Sequence, residues 1–155
     1  MKNIKIGKNA VVLGKVSFLD NCSIYYNTII RTESEPISFG EGVNIQDLCV
    51  IHTDKGYPIE VGDYVTIGHA CIIHGCKIGS NTLIGMGSIL MNGSQIGDNC
   101  MIGAGSLVTE NTIIPEGSLA FGRPAKVIRK LTEEEIQQNK ESALHYIELM
   151  DAIIE

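Results

Sequence analysis

Ile78-Gly79-Ser80-Asn81-Thr82-Leu83-Ile84-Gly85-Met86-Gly87-Ser88-Ile89-Leu90 carries an aliphatic residue at every sixth position. The same step continues through Ile96, Ile102, Val108 and Ile114 to Ala120. Upstream it runs through Ile6, Val12, Phe18, Ile24 and Ile30, restarts at Phe39 for Ile45 and Ile51, and restarts at Val61 for Ile67 and Ile73. A helix repeats near 3.6 residues and a half-buried strand alternates every second residue, so neither requires this beat. An aliphatic anchor at every sixth residue, often followed by Gly, reads as a β-helix with one short strand and one corner per repeat.

The residue two before the anchor is usually small: Ala10, Thr28, Thr82, Ser88, Ser94, Ser106, Thr112 and Ser118. Cys22, Cys49, Cys71, Cys76 and Cys100 occupy the same place. Residues two apart in a strand share a face, so these side chains point inward with the anchors and fill cramped corners. The cysteines therefore read as small buried hydrophobes rather than metal ligands or disulfide partners. The pattern resembles the left-handed parallel β-helix of hexapeptide-repeat proteins, in which three repeats make one coil of a triangular prism. Each coil would add one strand spacing, about 4.8 Å.

Composition narrows the functional classes. The 155 residues are 44% hydrophobic but only 5% aromatic, without Trp, and carry a net charge of −6. No basic stripe supports nucleic-acid binding. No apolar run approaches the ~18 residues of a membrane span. The start, Met1-Lys2-Asn3-Ile4-Lys5, lacks a secretory apolar core, and an odd number of cysteines fits a reducing compartment, so a cytoplasmic location is expected. From Leu131 the beat stops. Thr132 and Glu135 form a capping-box pattern, Leu131 and Ile136 a hydrophobic staple, and 132–153 reads as one amphipathic helix using Ile136, Ala143, Leu144, Ile147, Met150 and Ile154. The expected organisation is a β-helix over 1–125, closed by Gly122-Arg123-Pro124-Ala125-Lys126, and a helical segment over 126–155 packed on the prism or on a neighbouring subunit.

Between Ile30 and Ile78 the beat breaks three times, beside Arg31, His52 and His74. With three repeats per coil, Ile30, Ile51 and Ile73 stack. Arg31, His52 and His74 then form one column, the two histidine backbones roughly 5 Å apart. Two imidazoles at that spacing can converge on one Zn²⁺ at about 2.0–2.1 Å. His69 belongs to another edge, near Gln46 and Asp47, about 16 Å away across five residues of strand. A closed three-fold oligomer would set one subunit's edge against its neighbour's. A homotrimer is therefore expected, with His52 and His74 from one chain and His69 from the next.

Asn44-Ile45-Gln46-Asp47, Ile51-His52, Ile67-Gly68-His69, Ile73-His74-Gly75-Cys76-Lys77-Ile78-Gly79 and Ile84-Gly85-Met86-Gly87-Ser88 look like gamma-class carbonic anhydrases, over about residues 5 to 135. The resemblance implies Zn²⁺ on His52, His69 and His74, with iron or cobalt as substitutes, and hydration of CO₂ to bicarbonate by metal-activated hydroxide. It implies that Gln46 orients water. Arg31 would meet bicarbonate or an ion pair across the interface, with Asp47 as its carboxylate partner. This chain has Arg31-Thr32-Glu33 where the family usually has Arg-x-Asp. Its loop after His52, Thr53-Asp54-Lys55-Gly56-Tyr57-Pro58, is short and holds one candidate proton carrier, Asp54. Two other readings fit the scaffold: an acyl-CoA-dependent acyltransferase using an interfacial histidine base, and a metal-holding structural subunit without activity. His145 and Tyr146 read as surface and helix-packing residues, Asn92 as a corner residue that could line the site, and Arg123, Lys126, Arg129 and Lys130 as a solvated face.

Overall fold

The protein is described by a computed structural model over residues 2–155; Met1, at the head of the expected first segment, lies outside it. Three parallel sheets form the walls of a prism. The first stacks β1 (Ile4–Ile6), β4 (Cys22–Ile24), β7 (Asn44–Ile45), β10 (Thr66–Ile67), β13 (Leu83–Ile84), β16 (Met101–Ile102) and β19 (Ser118–Gly122). The second stacks β2 (Val11–Leu13), β5 (Ile29–Arg31), β8 (Val50–His52), β11 (Ile72–His74), β14 (Ile89–Leu90) and β17 (Leu107–Val108). The third stacks β3 (Val16–Phe18), β6 (Ile37–Phe39), β9 (Ile59–Val61), β12 (Lys77–Ile78), β15 (Gln95–Ile96) and β18 (Ile113–Ile114).

Every anchor of the six-residue beat falls on one of these strands. Register is kept from coil to coil: Ile24 pairs with Ile45, Ile45 with Ile67, and Ile67 with Ile84. The anchors from Ile24 to Ile114 are all nearly inaccessible, as are the five cysteines and the inward Thr28, Thr82, Ser88, Ser94, Ser106 and Ser118. Burying one Ile or Leu side chain contributes about 1.5–3 kcal/mol, and the column repeats that gain at each corner of each coil. Several corners need a left-handed residue. Asn9, Asn21, Asn27, Asn81, Asn99 and Asn111 fill six of these positions, because asparagine tolerates positive φ better than other non-glycine residues.

The upper end closes with a hairpin rather than a simple exit. β20 (Ala125–Lys130) folds back antiparallel on β19 around Gly122-Arg123-Pro124. The helix α1 (Glu133–Glu148) follows, with the expected capping box at Thr132 and Glu135. It is shorter than the 132–153 expected. Leu149 caps it by donating to the carbonyls of His145 and Ile147, and the chain tightens into a 3-10 turn at Met150–Ala152. The tighter turn buries Met150 and Ile153, leaving Ile154 exposed, and Leu144 on α1 is also exposed.

The helix packs on the outer surface of the first sheet, over β4, β7 and β10. Asn139, 2% exposed, donates to the carbonyls of Asn81 (3.2 Å) and Cys100 (3.0 Å). The tail reaches back to the lowest coils, where Ile154 accepts from Lys8 N (2.8 Å) and donates to Tyr26 Oη (3.1 Å). Among the described residues, no helix is long and apolar enough to cross a membrane.

Candidate metal centre

Parallel register sets the column. Arg31 pairs with His52 and His52 with His74 on adjacent strands, so all three leave the second sheet at the same corner. His52 Nδ1 lies 3.0 Å from His74 Nε2. Asp54 joins them, with ligand atoms of His52, Asp54 and His74 mutually within 4.8 Å. His69 stands outside this cluster, at the corner between the first and second sheets, just after β10.

The partners of each ring fix its protons. His52 Nε2 donates to Glu33 Oε2 (2.8 Å), and Arg31 donates to the other carboxylate oxygen of Glu33. Arg31 Nη1 lies 3.2 Å from His52 Nε2, but both groups are donors, each to its own oxygen of the Glu33 carboxylate. The His52 and Arg31 hydrogen bonds hold the Glu33 carboxyl below the usual carboxylate range. On the other ring, Asn92 Nδ2 donates to Asp54 Oδ2 (2.8 Å), which turns Asn92 Oδ1 toward His74 Nδ1 at 2.7 Å. That oxygen can only accept, so His74 carries its proton on Nδ1 and keeps a lone pair on Nε2. His52 keeps its lone pair on Nδ1 by the same logic. With both rings neutral, two lone pairs therefore face each other at 3.0 Å. That contact is repulsive unless a cation sits at the site. Two nitrogens bound to tetrahedral zinc would be roughly 3.3 Å apart, so the pair fits a shared metal after a small opening.

At the other corner, His69 Nδ1 donates to Asp47 Oδ2 (2.8 Å), which leaves Nε2 of this exposed ring with its lone pair. Gln46 is buried beside it, its amide nitrogen donating to Asn44 Oδ1 (3.1 Å) and its carbonyl oxygen left to the site. His69, Gln46, Thr66, Leu83, Met86 and Met101 line a recess of about 390 Å³, walled on the helix side by Ser142 and Tyr146. Tyr146 thus belongs to the recess as well as to the helix packing, where it meets the Tyr25 ring edge-on at 5.6 Å. Within one chain Asp47 partners His69 and Glu33 partners Arg31; the expected Arg31–Asp47 pair is not made inside the chain. His145 is exposed on α1 beside Glu148. Arg123, Arg129 and Lys130 direct their donors to Gly105, Glu135 and Glu116.

The candidate metal ligands His52, His69 and His74 are thus split between two corners. Sequence spacing found the histidines and placed Asn92 at a corner where it could line the site, but its partners show only in the hydrogen bonds.

Known proteins bear on this arrangement. The family model for the bacterial transferase hexapeptide (six repeats) matches residues 75–110. A Methanocaldococcus jannaschii protein named probable carbonic anhydrase is 50% identical over 152 residues, covering 98% of this chain and 96% of its own. Gamma carbonic anhydrase 2, mitochondrial, of Arabidopsis thaliana is 40% identical over 154 residues, and the chain spans 55% of its length. The crystal structure of a hexapeptide transferase family protein from Anaplasma phagocytophilum superposes with a TM-score of 0.86 at 40% identity, covering 97% of this chain and 93% of that one.

Proposed function

The chain belongs to the gamma-class carbonic anhydrases of the hexapeptide-repeat superfamily, a family of lyases, and from that premise we propose that it is a zinc-dependent enzyme that hydrates CO₂ reversibly to bicarbonate in the cytoplasm. The observation that carries the proposal is the 3.0 Å approach of His52 Nδ1 to His74 Nε2, each ring held by an acceptor on its other nitrogen. Such a site attracts a divalent cation, and outer hydrogen bonds of this kind accompany ligand histidines.

His69 supplies the third ligand from the neighbouring subunit of a homotrimer. Support comes from the outer surface of the second sheet, the wall between the two corners. Val11, Ile29, Val50, Ile72, Ile89 and Leu107 stack there in register and point outward. Val50 and Ile72 are about 40% exposed, and Leu48 and Met86 at its edge about 60%. An apolar column flanked by two halves of one site suits a second copy of the same chain.

When bound, zinc lowers the pKa of water so that a nucleophile exists at neutral pH. The chain does the rest. Glu33 and Asp47 keep the His52 and His69 lone pairs directed outward. The free carbonyl oxygen of Gln46 orients water, while the apolar wall of Met86, Met101 and Leu83 receives CO₂. Arg31, already beside His52, meets the bicarbonate anion with its second nitrogen. An acyltransferase on this scaffold needs one basic histidine and gives no reason for a facing pair.

Elemental analysis of protein purified without chelator should give about one metal per chain, with CO₂ hydration lost in His74→Ala. Metal below ~0.2 per chain after zinc addition would sink the proposal. Full metal without hydration would leave the non-catalytic, structural reading in its place.

A further inference from the structure

The roles above leave Asp54 and Asn92 unassigned. We propose that the loop interrupting the repeat after His52 exists to position His74: Asp54 fixes the amide of Asn92, and Asn92 fixes the metal-binding tautomer of His74. The inference rests on the reading of His74 as a metal ligand.

From Ile51 to Val61 the step is ten residues (61 − 51) where the beat is six. The extra residues are not a loose excursion. Thr53, 2% exposed, shares a 2.6 Å hydroxyl contact with Thr32 at the start of the loop. Gly56 N donates to Glu35 Oε1 (2.8 Å), and Tyr57 N donates back to Asp54 O (2.9 Å). The loop therefore folds down over Gly75 and Gly93 and presents Asp54 to Asn92, thirty-eight residues further along the chain. Gly75 makes room for the contact. A Cβ there would lie 2.3 Å from Asn92 Oδ1 and 2.8 Å from Tyr57 Cβ.

The chemistry turns on which end of the Asn92 amide faces His74. A carboxamide offers an acceptor at one end and a donor at the other. With the oxygen toward His74, the ring holds its proton on Nδ1 and its lone pair on Nε2, toward the metal. With the NH₂ toward His74, the ring would move its proton to Nε2 and block the ligand nitrogen. Asp54 accepts only, so it claims the NH₂ and settles the orientation. Asp54 and Asn92 are positioning residues and need not touch substrate.

The test measures zinc affinity of the apo-protein by competition with a chromophoric chelator, with the visible spectrum of the Co²⁺ form and thermal melting alongside. Asn92→Ala should weaken zinc binding 10–100-fold, the range seen when outer partners of metal ligands are removed. Asp54→Asn should cost several-fold. The exchanged pair N92D/D54N restores an acceptor to His74 and a donor behind it, and should return affinity to within about threefold of the starting protein, with the Co²⁺ spectrum recovered. Zinc binding of Asn92→Ala within about threefold of the parent overturns the proposal, as does a double variant no better than Asn92→Ala. A loss in Asp54→Asn as large as in His74→Ala makes Asp54 a direct ligand and overturns the relay. His74→Ala separates the two levels. Undiminished zinc there removes His74 as a ligand and the relay with it, whereas zinc lost in His74→Ala but kept in Asn92→Ala overturns the relay alone.

Discussion

Gly75 sits at φ 57°, in the left-handed region that six other corners of this prism fill with asparagine. Asparagine would satisfy that backbone angle but not the space, because Asn92 Oδ1 occupies the place of a Cβ. Gly75→Asn and Gly75→Ala should therefore both lower zinc affinity, while the alanine variant also loses about 1–2 kcal/mol of stability to its left-handed backbone. Chelator competition and thermal melting read the two effects separately. The histidine column was legible because counting coils from a strict repeat gives the register, and register alone sets Arg31, His52 and His74 at one corner. Asp54 and Asn92 stood out as site candidates, but how they pair, and the anchoring by buried Asn139, were not legible, since each depends on a hydrogen bond to a residue far along the chain. The cysteines make a second test. Burial pushes the Cys76 thiol up to about 12 and Cys22 to about 11; the contact with Cys71, and then burial, push Cys49 upward, while the same contact pulls Cys71 down. A thiol reagent at neutral pH should leave the native protein unlabelled and modify all five cysteines after unfolding.

The helix carries an acid-sensitive terminus. Glu135 accepts two bonds from Arg129 (2.8 Å each) and one from Thr132 N (2.9 Å), and these hold its carboxyl down at about 2. Its folded pKa lies below the unfolded value of about 4.3, so its contribution is complete above that pH and is lost as pH falls toward 2. Melting temperature against pH should fall across that window in the parent and more gently in Glu135→Gln. Thr132→Ala should cost about 1 kcal/mol at neutral pH, through the lost N-cap bond. At this scale the sequence pattern identified every strand from β1 to β19, because each anchor has one possible inward position. It misjudged the end of the helix, since Met150 fits both helical and 3-10 spacing. The choice was made by burial of Ile153, which a periodicity cannot rank against Ile154.

For the whole molecule, the apolar wall and the divided site make one prediction together. Ile72→Glu, at the middle of that wall, should yield monomers by sedimentation and lose metal although His52 and His74 remain intact. Mixing His69→Ala with His52→Ala chains should restore part of the metal, because some interfaces of the proposed trimer then combine an intact His69 with an intact His52–His74 pair. Unmixed variants that already hold full metal would refute the shared site. The brace formed by α1 and the tail has a different consequence. Coils that touch only the coils above and below form a line, and a line can fray from either end, one unit at a time. Asn139 holds the line near its top through Asn81 and Cys100, and Ile154 holds it at its foot through Lys8 and Tyr26. A line tied at two distant points becomes a loop, in which neither end can loosen without pulling on the other. Melting should then be a single step in the parent, with calorimetric and van't Hoff enthalpies equal. Asn139→Ala should split them, as the lowest coils regain the freedom to leave first.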